Sequence, residues 1–141
     1  MTPREYLERP GETDREIRRR KDRVETLRRM ATRLAPKLSG VSVRSSPDPG
    51  LMQSFLDEAA DEEAEIRRLE EARPRILAET ALCVSRVPDR TLARLLEYRY
   101  LEFRSWPDVA ARLRLSETYV LRLHRKALAL LPVPPEAGDP A

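Results

Sequence analysis

Glu117, Thr118, Tyr119, Leu121 and Arg122 bring together side chains that can read the edge of a base pair. A guanidinium such as that of Arg122 makes a bidentate contact to guanine. A carboxylate such as that of Glu117 accepts from the cytosine amino group, and Thr118 or Leu121 packs against a thymine methyl. Tyr119 suits either a base or a phosphate. Around them Arg112, Arg114, Arg125 and Lys126 supply flanking cations, whose expected use is contact with backbone phosphate. The chemistry requires that the first group share one face of a short rigid helix that fits the major groove.

The neighbouring residues predict such a helix. Ser105 opens a first helix, with Asp108 three residues on in a capping-box arrangement and Pro107 in the first turn, where a missing N–H costs little. Val109, Ala110 and Leu113 give that helix an inward face. Arg114 and Leu115 make the turn, and Ser116 caps a second helix over 116–131. There Val120, Leu123, Ala127 and Leu131 recur at helical spacing and should pack inward. Thr118, Arg122 and Arg125 fall on the opposite stripe, with Glu117 and Leu121 beside it. This is the pattern of a helix-turn-helix. His124, at the edge of the inner face, and Trp106 are expected to pack rather than to bind.

A supporting helix is predicted in front of the pair. Pro88 discourages helix at Val87, and Asp89 caps a helix over 90–103 whose apolar face is Leu92, Leu95, Leu96 and Tyr100. Upstream, Ile17, Val24, Leu27, Ala31 and Leu34 mark the seam of a first helix over 13–34. Met52, Phe55, Ala59, Ile66, Leu69, Ile76, Thr80, Cys83 and Val87 mark a second, starting near Leu51. Pro74 should kink or split it. Pro36, Ser39-Gly40 and the run from Ser45 to Gly50 read as the connecting loop. Pairing the two as an antiparallel hairpin sets the basic first helix against the acidic start of the second. The same stripes could instead pair between subunits. The expected fold is therefore all-α: a helical hairpin over 1–87, a helix-turn-helix domain over 88–131, and a proline-rich disordered tail over 132–141.

Composition narrows the function classes. Charged residues make up 36% of the 141 and aromatics 5%, which fits a solvated helical protein with a modest core. The net charge of +3 and pI near 9.3 are mildly basic. The distribution says more, because acidic residues dominate 57–71 whereas Arg and Lys outnumber Asp and Glu over 86–126. The single Cys83 excludes an internal disulfide and a cysteine-rich zinc site, and its apolar neighbours predict a buried, inert thiol. Four glycines leave no phosphate-cradling loop, and one His and one Cys give no nucleophile set and no metal ligands. An enzyme, a cofactor and a metal are not expected. The start lacks a signal-peptide pattern and no apolar run is long enough to span a bilayer, so the expected location is cytoplasmic, with no membrane partner.

Residues 95–131 resemble the fourth conserved region of bacterial sigma factors, which binds the upstream promoter element. Val120 and Leu123, followed by Lys126-Ala127-Leu128, fall where that region carries its core and basic residues. The chain as a whole is similar to small sigma-like transcriptional regulators encoded by phages and prophages. It shares their Tyr6-Leu7 start, long charged helix, Val43-Arg44-Ser45-Ser46 loop and Arg99-Tyr100-Leu101 signature. The resemblance implies a regulator that binds promoter DNA, with RNA polymerase as a second partner. It matches Glu117, Thr118, Tyr119, Arg122 and Lys126 to places where sigma region four meets DNA. Two departures stand out. Arg114 occupies a turn position where glycine is usual, and Glu117 and Thr118 replace residues that are often basic, so the target sequence is not inherited. The other sigma regions are not recognisable, which speaks against a complete sigma factor.

The leading expectation is a sequence-specific DNA-binding transcriptional regulator whose partners are double-stranded DNA, RNA polymerase and, in one version, a second copy of itself across two half-sites. A phage packaging component that binds DNA is one alternative. The other is a helical protein-interaction module without DNA readout, for which the acidic face over 57–71 is the supporting feature.

Overall fold

Thr2 begins the first helix by a reciprocal cap. Its hydroxyl accepts from the Glu5 amide at 3.1 Å, while the Glu5 carboxylate accepts from the Thr2 amide at 3.2 Å. Pro3 takes the first helical position. Helix α1 runs Pro3–Leu34, starting well before the predicted Thr13 and continuing through Pro10. Pro10 removes a donor from the Tyr6 carbonyl, a cost that tertiary packing outweighs. Tyr6 and Leu7 are both fully buried, and burying side chains of this size contributes about 1.5–3 kcal/mol each.

The computed structural model describes residues 1–34 and 49–135, and its elements are all helical. After α1 come α2 (Pro49–Ser85), α3 (Arg90–Leu96), a π-helical turn (Glu97–Leu101), α4 (Trp106–Leu113) and α5 (Glu117–Leu130). The predicted loop at Pro36, Ser39-Gly40 and 45–48, the Val43-Arg44-Ser45-Ser46 motif and the tail over 136–141 lie outside the described residues. Helix α2 is continuous through Pro74, so the proline does not split it.

Two compact units divide the chain, and the division does not fall at Val87. One unit is Arg15–Glu71; the other is Met1–Asp14 with Ala72–Ala141. In Arg15–Glu71 the seam is built from Ile17, Leu27 and Ala31 of α1 and Ala59 and Ile66 of α2, all buried. Ion pairs line it. Lys21 meets Glu70 and Arg28 meets Glu63; Arg20 meets Glu62 and Arg23 meets Glu58. They form two rows, 21/70 with 28/63 and 20/62 with 23/58, and within each row the number falls on α2 as it rises on α1, the signature of an antiparallel pair. Exposed ion pairs are individually weak, so these set register and partner while the apolar seam carries the stability. The carboxylates of Glu58, Glu62, Glu63 and Glu70 are thereby occupied within the chain.

In the other unit the first turns of α1 join the C-terminal helices around one core. Tyr6 and Leu7 cluster with Cys83, Val84, Val87, Leu92, Leu95, Leu96, Tyr100, Val109, Val120 and Ala127. Arg9–Glu79 at 3.0 Å and Asp14–Arg73 at 2.6 Å flank it. The beginning of the tail departs from the disorder expected of it. Val133 packs against this core, and the Pro132 carbonyl accepts from the Cys83 thiol at 3.4 Å. An apolar valine between two prolines is enough to hold the chain down there. Burial pushes the Cys83 thiol above its ordinary pKa, consistent with an inert packing role.

Candidate nucleic-acid interface

Each helix of the pair is started by a side chain and stopped by a backbone turn. Asp89 accepts from the Leu92 amide at 3.0 Å and starts α3. That helix does not run evenly to Phe103. It widens into the π-helical turn, which closes with Phe103 in the left-handed region at φ 57°. Ser105 then accepts from the Asp108 amide at 3.3 Å to start α4. Only half of the predicted capping box forms, because the Asp108 carboxylate is drawn to Arg104 at 3.0 Å and Arg112 at 3.4 Å. The Arg104 hydrogen bond holds that carboxyl below the usual range.

Helix α4 ends at a left-handed Arg114, φ 58° and ψ 42°. The Leu115 amide reaches back to the Ala110 carbonyl at 3.0 Å and the Arg114 amide to Ala111 at 3.2 Å. These are the paired bonds of a Schellman turn, usually made with glycine. Ser116 follows at once and accepts from the Tyr119 amide at 3.1 Å, starting α5. The turn between the helices is thus Arg114-Leu115-Ser116, the short connection a helix-turn-helix needs.

Behind this turn the inner faces fall where their spacing predicts. Val109 and Ala110 of α4 and Val120 and Ala127 of α5 are buried, with Leu113 and Leu123 partly so. His124 is also buried, its Nε2 2.6 Å from the Tyr100 hydroxyl and its ring edge-on to Trp106 at 4.6 Å. Arg99 stacks over the other partner, with its guanidinium carbon 4.5 Å from the Trp106 ring centre. Burial lowers the His124 pKa to about 4, so the imidazole is neutral near pH 7. Both aromatics are packing residues, as their positions implied.

The other stripe faces water. Glu117, Thr118, Tyr119, Leu121 and Arg122 are all exposed, as are Arg112, Arg114, Arg125 and Lys126. Tyr119 is 44% and Leu121 38% exposed, comparable with apolar side chains elsewhere such as Leu77 and Leu130; here they lie beside the exposed cations. Among the described residues no ion pair engages Glu117, Arg114, Arg122, Arg125 or Lys126. Arg112 differs from the rest. It pairs with Asp108 and lies near the Tyr98 ring, where Arg94 and Arg104 also gather. Sequence reading did not single out these two arginines. The i,i+4 spacings of Arg94 to Tyr98 and of Arg104 to Asp108 are the local signals for them.

Among the described residues no group of three or more His, Cys, Asp or Glu could hold a metal ion, and no helix is long and apolar enough to cross a membrane. Compared with protein-family models, curated proteins and solved structures, the chain matches none.

Proposed function

We propose that the chain is a sequence-specific DNA-binding transcriptional regulator of the phage and prophage type, which places α5 in the major groove. One observation carries this reading. On α5 the buried positions Val120, His124 and Ala127 leave a stripe on which exposed cations have no intramolecular anion among the described residues. On α1 several cations find carboxylates on α2, as Arg20 does with Glu62 and Arg23 with Glu58, while Arg15, Arg18 and Arg33 make no ion pair among the described residues. What sets α5 apart is that its unpaired cations share a stripe with exposed apolar side chains. A helix that keeps its cations unpaired next to exposed Leu121 and Tyr119 is suited to a polyanion with apolar features in its groove.

The roles follow from position along α5. Arg122 reads guanine, Glu117 accepts from cytosine, Thr118 and Leu121 meet thymine methyls, and Tyr119 contacts a base or a phosphate. Arg114, Arg125 and Lys126 neutralise phosphates. RNA polymerase is the second partner that the resemblance to sigma region four implies. The rival reading as a protein-interaction module rested on the acidic face of α2, and four of those carboxylates are used within the hairpin. Duplex binding measured across a range of salt tests the proposal. Affinity should fall steeply as salt rises, and binding that ignores salt would count against it.

A further inference from the structure

Three guanidinium groups crowd one aromatic ring in the unit that holds the helix-turn-helix. The guanidinium carbon of Arg94 lies 4.9 Å from the centre of the Tyr98 ring, that of Arg104 5.8 Å and that of Arg112 6.0 Å. They come from separate places: α3, the connection before α4, and the last turn of α4. Like charges held this close repel one another. Packing does not demand the arrangement, because the Arg94 and Arg112 side chains are 54% and 45% exposed.

The three are unequally satisfied. Arg104 is anchored by Glu102 at 2.8 Å and 3.1 Å and by Asp108 at 3.0 Å. Among the described residues Arg112 has as its anion only an Asp108 oxygen at 3.4 Å, on a carboxylate that already serves Arg104. Arg94 is 3.9 Å from Glu97, too far for a hydrogen bond, and its one short bond is to the Tyr98 hydroxyl at 2.6 Å. A guanidinium has five N–H donors, so most of those on Arg94 and Arg112 have no acceptor among the described residues. Their fork geometry matches the two free oxygens of a phosphodiester.

We infer that Arg94, Arg104 and Arg112, gathered around Tyr98, form a binding site for the DNA backbone in which a phosphodiester displaces Asp108 from Arg112. Arg104 is the fixed member, and Arg94 and Arg112 are the ligands. The inference rests on the DNA-binding reading and extends its footprint from α5 to α3 and α4. In a helix-turn-helix the first helix crosses the backbone while the second enters the groove, and Arg112 lies on that first helix, α4. Backbone contacts position a protein without reading sequence. Asp108 acts as an intramolecular competitor, and its carboxylate sets how strongly the site holds phosphate.

The test is equilibrium binding of the full chain to a mixed-sequence duplex across a salt series. Replacing Arg94 and Arg112 together by Ala should reduce the slope of log affinity against log salt by about 0.9, since the one phosphodiester they hold is no longer neutralised. Affinity should weaken alike for every sequence. The Arg94→Lys, Arg112→Lys pair, which keeps both charges, should hold the slope near the wild-type value. Asp108→Asn should tighten binding several-fold. An unchanged slope in the double Ala variant, beside a reduced one in Arg125→Ala, Lys126→Ala, overturns the cluster and leaves the α5 reading standing. Failure of the wild-type chain to bind any duplex overturns both. Equal melting temperatures for the two double variants establish that the slopes compare folded proteins.

Discussion

The Tyr100 hydroxyl lies 2.6 Å from Nε2 of His124, a bond that ties the π-helical turn to the middle of α5. Burial pushes the phenol above its ordinary pKa, so both partners of the bond are neutral near pH 7. The pair holds the candidate reading helix through its buried side while the opposite stripe stays free.

That bond predicts an acid-sensitive fold. Unfolded His124 titrates near its ordinary 6.5, while in the fold burial, with Arg4 and Arg99 nearby, lowers the value to about 4. Above pH 6.5 the imidazole is neutral in both states and costs nothing. Between 6.5 and about 4 only the unfolded chain takes up the proton, so stability falls as pH falls, by at most about 1.4 kcal/mol per pH unit. Urea unfolding repeated across this window should show the loss. His124→Phe, destabilised overall by the orphaned phenol, should show a flatter dependence on pH; an unaltered slope would remove His124 from the account.

Arg114 separates stability from binding. Its left-handed backbone carries a cost on the order of 1 kcal/mol that glycine would not bear. Arg114→Gly should therefore raise the urea midpoint or leave it level, while duplex affinity drops through the lost cation. Parallel losses of stability and affinity would mean that the side chain packs rather than binds.

Two leucines should respond in opposite ways. Leu95 is fully buried and Leu121 is 38% exposed. Leu95→Ala should cost about 2–5 kcal/mol of stability. Leu121→Ala should cost no more than about 0.5 kcal/mol yet weaken binding to sites with a thymine beneath it. A large stability loss at Leu121 would place that residue in a core and remove it from the reading face.

The helix pair was legible in the sequence because its signals are local. Ser105, Ser116 and Asp89 cap within three residues, and Val109 with Leu113 on α4 and Val120 with Ala127 on α5 recur at helical spacing. The start of α1 was not found, although Thr2 and Glu5 form a readable capping box. Pro10 and Gly11 look like breakers, and what overrides them is the burial of Tyr6 and Leu7 against residues far along the chain. The half-formed box at Ser105 fails for a related reason. Asp108 has the right spacing, but Arg104 and Arg112 compete for it from positions that no capping pattern considers. The π-helical turn and left-handed Phe103 left no local signal either.

Selection from a randomised duplex pool at near-physiological salt, run with the intact chain and with Arg122→Ala, tests the central claim most directly. The account predicts that the wild-type chain recovers a motif whose guanine position blurs in the variant, while the rest of the motif persists. Recovery of nothing above background, or of the same motif undiminished with Arg122→Ala, would contradict a reading helix in α5.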